Sequence, residues 1–432
     1  MPRKAGRAAE AASLDPPALF RRLKDRRGLV LAVSGGPDST ALMLLVARWA
    51  DRPPVLAATV DHGLRPESAH DAETVAENAA ALGLPWRVFA VPEPFPGGNL
   101  QDWARRVRYG WLVTAAREAG FDTIVTAHHR DDQAETFLLR LARGSGVYGL
   151  AGMPRESRVD GVELVRPLID VPRRALAEIA ADSGLPVADD PSNADPRFDR
   201  VRMRSLMPQL AAHGLTAERL AETAARLGRA GAALDHYAGR LIAERFEADR
   251  YGRVGGPARA LAEVPEEVAL RALALILKAV GGAEYTPRLE SVEALRRAVL
   301  DAGGSTALRR TLHGVEIAVK RGRLIARREW GREGLSAVPA PPGATLLWDR
   351  RFCIQVPRLG GALGIAPLGR SDRRLSLSGA DRAALRVLPG LFREGTLMAV
   401  PRAVRAEDRG APLEVLSVRC VVGEGLGIPP PA

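Results

Sequence analysis

The stretch that most constrains this chain is an apolar run, Gly28-Leu29-Val30-Leu31-Ala32-Val33, that ends in Ser34-Gly35-Gly36-Pro37-Asp38-Ser39. The run reads as a strand buried on both faces. The segment after the hexapeptide, Thr40 to Ala47, reads as a helix. A strand, a Gly-Gly turn and a helix N-terminus together form a cradle for an oxyanion. Glycines let the backbone come close, and free N–H groups and the helix dipole favour negative charge. Asp38 and the hydroxyls of Ser34 and Ser39 stand at the same mouth, where an acid beside a phosphate points to a bridging metal ion. A ligand-free Gly-rich turn is the bland alternative. Hexapeptide, strand and helix agreeing with one another weigh against it.

The loop holds no lysine, so it is not a GxxxxGK[ST] loop, in which lysine meets the β- and γ-phosphates. It resembles the PP-loop of ATP pyrophosphatases, SGGxDS. That resemblance implies ATP as cofactor, adenylation of a carbonyl oxygen and release of pyrophosphate.

Further strands are expected at Val55–Val60, Trp86–Val91 and Asp122–Ala127, with helices near Ser68–Leu82 and Leu100–Ala119. Strand–helix alternation argues for a doubly wound α/β sheet, whose ligands sit at the carboxyl ends of strands. From Leu215 the pattern turns helical, through Ala217–Arg245 and Pro265–Ala279. Ala337-Val338-Pro339-Ala340-Pro341-Pro342-Gly343 suits an extended linker. Beyond it, short apolar runs broken by Gly and Pro suggest a small α+β domain. The expected organisation is a disordered basic tail over 1–25, a catalytic α/β domain over 26–214, a mainly helical domain over 215–336 and a small C-terminal domain over 344–432.

The chain has 432 residues, 62 Lys+Arg against 51 Asp+Glu, and a net charge of +11, which favours a polyanionic partner. Lysine occurs only at Lys4, Lys24, Lys278 and Lys320. A GC-rich genome explains arginine over lysine but not the excess over acids. No apolar run nears the roughly 20 residues of a membrane span, and the N-terminus lacks a signal-peptide core, so a cytoplasmic protein is expected. Cys353 and Cys420 form no CxxC pair, which argues against a zinc ribbon or iron–sulfur cluster.

Four other stretches carry candidate chemistry. Asp61 and His62, in Val60–Ser68, follow the second strand, where a base or ribose could rest; a polar turn capped by Ser68 would account for them alone. His128-His129-Arg130-Asp131-Asp132-Gln133-Ala134-Glu135 follows the fourth. Asp132 and Glu135 share a face if a helix starts near Asp131, and they could hold Mg²⁺ or an ammonium group; simple capping is the alternative. Arg105 and Arg108 share a helix face that could meet phosphates or solvent. Asp189 to Asp195 is a turn leading into arginines spaced two apart, Arg200, Arg202 and Arg204. The Gly-rich turn Leu141–Leu150 could let a ligand or RNA backbone approach closely, but alone it reads as an ordinary helix-ending loop.

In this order SGGPDS, VDHGLRPES, ARRVRY, HHRDDQAETFLLRLARGSGVYGLAGM, RPLIDVPR and DDPSNADPRFDR resemble the bacterial tRNA(Ile)-lysidine synthases, a PP-loop family. The likeness spans about Gly28 to Leu210. It implies that ATP adenylates the C2 oxygen of the wobble cytidine in a CAU-anticodon isoleucine tRNA. The ε-amine of free L-lysine then displaces AMP, giving lysidine. By resemblance, Ser34, Gly35, Gly36, Pro37, Asp38, Ser39, Asp61 and His62 bind ATP, with Asp38 on Mg²⁺. Asp132 and Glu135 take the lysine amine and a second metal contact. His129, Arg105 and Arg108 steady phosphate or tRNA, and Asp190, Ser192 and Asn193 close the site. The family often shows Arg-Asn-x-x-Arg after this loop; Val201 replaces the asparagine here, which puts the substrate contacts of Arg200 and Arg204 in question. Arg321, Arg323, Arg327 and Arg328, or Arg370, Arg373 and Arg374, are candidate tRNA contacts or solvated basic surface. No membrane partner is expected, and a homodimer stays open. Two other readings stand beside this one: a PP-loop synthetase acting on a small molecule, and an RNA-binding protein on an inactive nucleotide fold.

Overall fold

The computed structural model describes residues 14–64, 68–92, 95–188, 195, 197–302, 307–377, 382–407 and 412–428. The chain forms two compact units, Met1–Gly231 and Ala232–Ala432.

Among the described residues of the first unit, six strands make one sheet: β1 (Leu29–Ala32), β2 (Val55–Asp61), β3 (Trp86–Ala90), β4 (Thr123–Thr126), β5 (Glu156–Val159) and β6 (Val162–Val165). Their order is β3-β2-β1-β4-β6-β5. All pairs are parallel except the β5–β6 hairpin. β1 lies between β2 and β4, so the order reverses there. This switch point is where the carboxyl ends of an open α/β sheet leave a crevice.

The first helix, α1 (Pro16–Phe20), opens with Asp15 accepting from the Ala18 amide. The expected disordered tail therefore ends earlier than residue 25: Phe20 and Leu23 are fully buried, and Phe20 packs on Trp49 at 5.3 Å. Two large apolar side chains one turn apart had a core to join. Helix α2 (Pro37–Ala47) is buried continuously from Ser39 to Val46. It lies under the sheet, which is why its sequence is apolar on every side. Helices α3 (Ser68–Ala81), α4 (Leu100–Ala119), α5 (Arg130–Leu141), α6 (Val147–Leu150), α7 (Arg173–Asp182) and α8 (Asp199–Ala212) follow. Helix α9 (Ala217–Arg245) contains the boundary between units; its first half packs Leu220 and Ala224 against Ala134 and Phe137 of α5.

The second unit is helical where expected, in the end of α9, α10 (Glu266–Gly281) and α11 (Leu289–Ala302). It also contains a sheet the sequence reading omitted: β7 (Glu247–Ala248), β8 (Val254–Pro257), β9 (Leu308–Leu312), β10 (Val315–Lys320) and β11 (Arg323–Arg328), in the order β7-β8-β11-β10-β9. A larger sheet follows, built from β12 (Val338–Pro339), β13 (Thr345–Trp348), β14 (Phe352–Gln355), β15 (Leu363–Pro367), β17 (Pro389–Arg393), β18 (Thr396–Pro401) and β20 (Glu414–Cys420), while β16 (Leu375–Leu377) pairs with β19 (Val404–Ala406).

Residues 337–343 are not a free spacer. Val338–Pro339 pairs with β15, and Ala340 is buried. The expected break between 336 and 344 is absent from the packing. Val422, Leu426 and Ile428 join the core of α10, α11 and β10, and Tyr251 and Leu335 join the core of the larger sheet. Each segment thus contributes apolar side chains to the core of the other.

Candidate active site

The loop after β1 is wound around Ser39. The Ser34 amide donates to Ser39 Oγ at 3.2 Å, the two hydroxyl oxygens lie 3.3 Å apart, and Ser39 Oγ donates to the Gly36 carbonyl at 3.0 Å. Gly35 takes φ +83°, and a Cβ there would lie 3.0 Å from the Ala188 side chain. Only glycine fits this turn without strain. Gly36 is the N-cap of α2 but offers no side chain to it, and Pro37 and Asp38 occupy the first turn. The helix N-terminus therefore keeps backbone donors for a ligand.

Asp38 reaches across the switch point to the start of α5. Its Oδ2 lies 3.4 Å from His129 Nε2, and Asp132 Oδ2 lies 3.6 Å from the same nitrogen. Asp38 Oδ1 is buried without a hydrogen-bond partner. An orphaned carboxylate oxygen beside a phosphate cradle fits a hard cation: Mg²⁺ takes one or two carboxylates and completes its shell with substrate phosphates and water. Asp38, with Asp132 beside it, would hold that ion, which would neutralise charge on the phosphates.

His129 is almost wholly buried and caps α5. Its Nδ1 accepts the Asp132 amide at 3.2 Å, while the Asp132 carboxylate accepts the His129 amide at 3.1 Å. This capping box fixes Nδ1 as acceptor and leaves Nε2 to donate towards Asp38. Burial favours the neutral ring, but the hydrogen bond to Asp38 and the charges of Asp132, Asp38 and Asp131 outweigh it and hold the pKa above 6.5. His128 behaves oppositely: burial first, then Arg166, Arg105, Arg200 and His129, lower its pKa to about 3. It sits as a neutral ring with Nδ1 2.7 Å from Thr126 Oγ1.

The other acids of this stretch have structural partners. Asp131 accepts the Arg173 amide at 2.8 Å, ahead of α7. Glu135 is buried and held by Arg204, Nε at 2.7 Å and Nη2 at 3.3 Å. Glu135 is thus not an open carboxylate for an amine, as the sequence reading had it; a bidentate guanidinium already neutralises it. Asp38 and Asp132 remain the acids at the mouth.

Asn99 caps α4 by accepting the Asp102 amide, and the helix turns Trp103, Leu112, Val113 and Ala116 inward. Its outer face carries Arg105, over the Tyr109 ring at 4.8 Å, and Arg108. Desolvation first, then Arg105 and Arg200 nearby, lower the Arg108 pKa, which still leaves an ordinary cation at neutral pH. His62 packs on Trp103 at 5.9 Å, Trp103 on Phe95 at 5.4 Å, and both His62 ring nitrogens are buried without a hydrogen-bond partner. Desolvation, then Arg108, lower its pKa, so it is neutral. Asp61 is turned aside, accepting the Gly63 amide at 2.8 Å.

Two arginines that sequence reasoning passed over hold the wall. Buried Arg166 donates to the Pro154 carbonyl at 2.7 Å and to Ser157 Oγ at 3.1 Å. Arg140 donates to the Gly149 and Gly152 carbonyls at 2.7 and 2.8 Å. The Gly-rich turn is therefore structural, and a Cβ at Gly149 would strike the Ser145 Cβ. The motif RPLIDVPR contained Arg166, but nothing in it announced burial.

Asp190, Ser192 and Asn193 lie outside the described residues. The remote arginine candidates are mostly engaged: Arg323 with Glu247, Arg327 with Glu316, Arg328 with Asp349, and Arg370 with the Leu335 carbonyl. Cys353 and Cys420 are both free thiols. None of the described helices is long and apolar enough to cross a membrane.

A PP-loop domain model matches residues 10–210. A tRNA(Ile)-lysidine synthase from Methylobacterium sp. (strain 4-46) is 47% identical over 335 residues, covering 74% of this chain and 96% of that protein. One from Rhodopseudomonas palustris is 45% identical over 338 residues, covering 75% and 94%. One from Ruegeria pomeroyi is 40% identical over 394 residues, covering 90% and 91%. With a phosphate loop at the switch point and relatives this similar over nearly their whole length, the chain belongs to the tRNA(Ile)-lysidine synthase family.

Proposed function

We propose that this chain ligates L-lysine to C2 of the wobble cytidine in a CAU-anticodon isoleucine tRNA, using ATP and Mg²⁺. The single observation that supports it most is the orphaned Asp38 oxygen at the mouth of the Ser34–Ser39 loop, beside His129 and Asp132. The cytidine oxygen attacks the α-phosphorus of ATP and pyrophosphate leaves. The lysine ammonium then gives up a proton to solvent, its ε-amine attacks C2, a second proton is lost from the new C–N nitrogen, and AMP leaves with the oxygen. The cytidine oxygen leaves poorly until it carries phosphate, so activation must come first.

The roles follow from position. Backbone donors of the loop and α2 bind phosphate oxygens. Asp38, with Asp132 beside it, would hold a metal ion that neutralises phosphate charge, and the negative charge of Asp132 also attracts the ammonium of the incoming lysine. Arg105, Arg108 and Arg200 counter the phosphate charge of ATP and tRNA. Neutral His62 on Trp103 borders the nucleotide. The test is incorporation of labelled lysine into the unmodified tRNA, with and without ATP. A second test is mass analysis for lysidine at the wobble position.

A further inference from the structure

The peptide between Gly35 and Gly36 is held from outside the phosphate loop. The Gly35 carbonyl accepts the Ala188 amide at 2.9 Å and the hydroxyl of fully buried Thr40 at 3.3 Å. A trans peptide is planar, so its N–H points opposite to its carbonyl. With the Gly35 carbonyl fixed on the Ala188 side, the Gly36 N–H is aimed away from it, and no atom among the described residues accepts that N–H. It is one of the donors left for a phosphate oxygen ahead of α2.

The Ala188 anchor belongs to a strap, residues 184–188, that follows α7 and passes beside the loop. The approach is close: a Cβ at Gly35 would lie 3.0 Å from the Ala188 side chain and 3.4 Å from Val75 of α3. The strap has an anchor of its own. Asn78 of α3 donates from Nδ2 to the Pro186 carbonyl at 2.8 Å, across 108 residues of sequence. Asn78 is 1% exposed, and its neighbours Val75 and Ala79 belong to the core that β1 and α2 share. A primary amide in such a place is costly unless it is hydrogen-bonded. The other buried positions of α3 are Ala72, Thr74, Val75 and Ala79, so Asn78 alone among them carries an amide. Its hydrogen bond leads away from its own helix, to the segment that holds Gly35.

We propose that Asn78 is a positioning residue for ATP. It seats the strap through Pro186, the strap holds the Gly35 carbonyl through Ala188, and the Gly36 N–H is thereby aimed at a phosphate oxygen. Asn78 acts only through these intermediates and does not touch the ligand. The inference rests on the reading that the Ser34–Ser39 loop binds ATP. Its consequence is selective: loss of the Asn78 donor weakens the hold on ATP and leaves the hold on tRNA as it was.

Two substitutions in the full-length protein test it by different routes. Asn78→Leu keeps the side-chain size and removes the donor, with Asn78→Ala in its place if leucine is not accommodated. Thr40→Val keeps the shape and removes the other hydrogen bond to the Gly35 carbonyl, leaving the strap alone. Each should raise the Kd for ATP with Mg²⁺, by isothermal titration, at least fivefold. Each should also raise the KM for ATP in pyrophosphate release while the KM for tRNA stays within twofold. Val162→Ala, in the core on the other face of the sheet, controls for stability: it should lower the melting temperature and leave the Kd for ATP unchanged. A merely structural Asn78 would make ATP affinity follow melting temperature across all the variants, and that result overturns the proposal. ATP binding that is equal in the parent and the folded Asn78 variant overturns the proposal and leaves the reading of the loop standing. No ATP binding by the parent overturns that reading, and the proposal with it.

Discussion

Arg204 of α8 grips Glu135 of α5 through both carboxylate oxygens, at 2.7 and 3.3 Å, with Glu135 buried and Arg204 about one third exposed. The pair ties α8, which has no buried residue of its own, to the helix whose first turn carries Asp132. The spacing of Asp132 and Glu135 suggested two equivalent acids. The structure divides them into one neutralised by a guanidinium and one that caps α5 beside Asp38 at the mouth.

Arg204→Ala should therefore destabilise the protein by about 2–3 kcal/mol. That is below the cost of breaking a fully buried pair, because water can reach the vacated side. Urea unfolding would measure it. Arg204→Met with Glu135→Gln should recover part of the loss, since the uncompensated charge is then gone. Equal stability of Arg204→Ala and the parent would contradict the role given to the pair.

Asp38→Ala should abolish ATP-dependent pyrophosphate release on tRNA while tRNA binding persists. Asp38 faces the loop, and its orphaned oxygen serves no internal bond. Pyrophosphate release and a filter-binding assay on the same folded variant would separate the two properties. Loss of tRNA binding would contradict the division.

Gly35→Ala should weaken ATP binding at least tenfold and cost about 1–2 kcal/mol, the penalty for an L-residue in the left-handed region. The φ of +83° and the 3.0 Å approach to Ala188 leave no relaxed alternative nearby. Isothermal titration with ATP gives the first number and urea unfolding the second.

The His128 pKa near 3 predicts a specific acid response. The unfolded chain binds a proton at His128 below about 6.5, and the folded chain does not until about 3. His128 therefore contributes stability that is complete above 6.5 and lost as pH falls through that window, by up to about 1.4 kcal/mol per pH unit. His129 has the opposite sign: its contribution is complete below 6.5 and lost as pH rises through its raised pKa. Comparing the pH dependence of stability between parent and His128→Asn should show a shallower acid slope in the variant. Identical slopes would contradict a neutral His128.

Much of the first unit was legible because its strands are short apolar runs in a parallel sheet. The expected strand at Gly28–Val33 is Leu29–Ala32, and helices Leu100–Ala119 and Ala217–Arg245 have the expected bounds. The omitted strands lie in antiparallel hairpins rich in arginine. Their signal was the turn. Asp160-Gly161, His313-Gly314, Arg321-Gly322 and Glu394-Gly395 each take two successive positive φ values, as a two-residue hairpin requires. An X-Gly pair between alternating residues marks each of them. The burial of Glu135 and Arg166 was not legible, because it depends on partners 69 residues away for Glu135 and on packing for Arg166. Nor was the shared core of the second unit, since it needs Val422, Leu426 and Ile428 to return to α10.

Leu426→Ala tests that return directly. A buried leucine truncated to alanine costs about 2–4 kcal/mol, and the loss should appear in urea unfolding of the full chain. A loss below about 0.5 kcal/mol would show that the C-terminal turn is not part of the core.

The central claim concerns chemistry at Asp38, and one measurement reaches it most directly. Labelled lysine is incubated with CAU-anticodon isoleucine tRNA and the protein, with ATP and Mg²⁺ present or withheld. ATP-dependent label at the wobble cytidine, absent with Asp38→Ala, is the predicted result. No label on the tRNA from folded protein that still releases pyrophosphate with another acceptor would contradict the account.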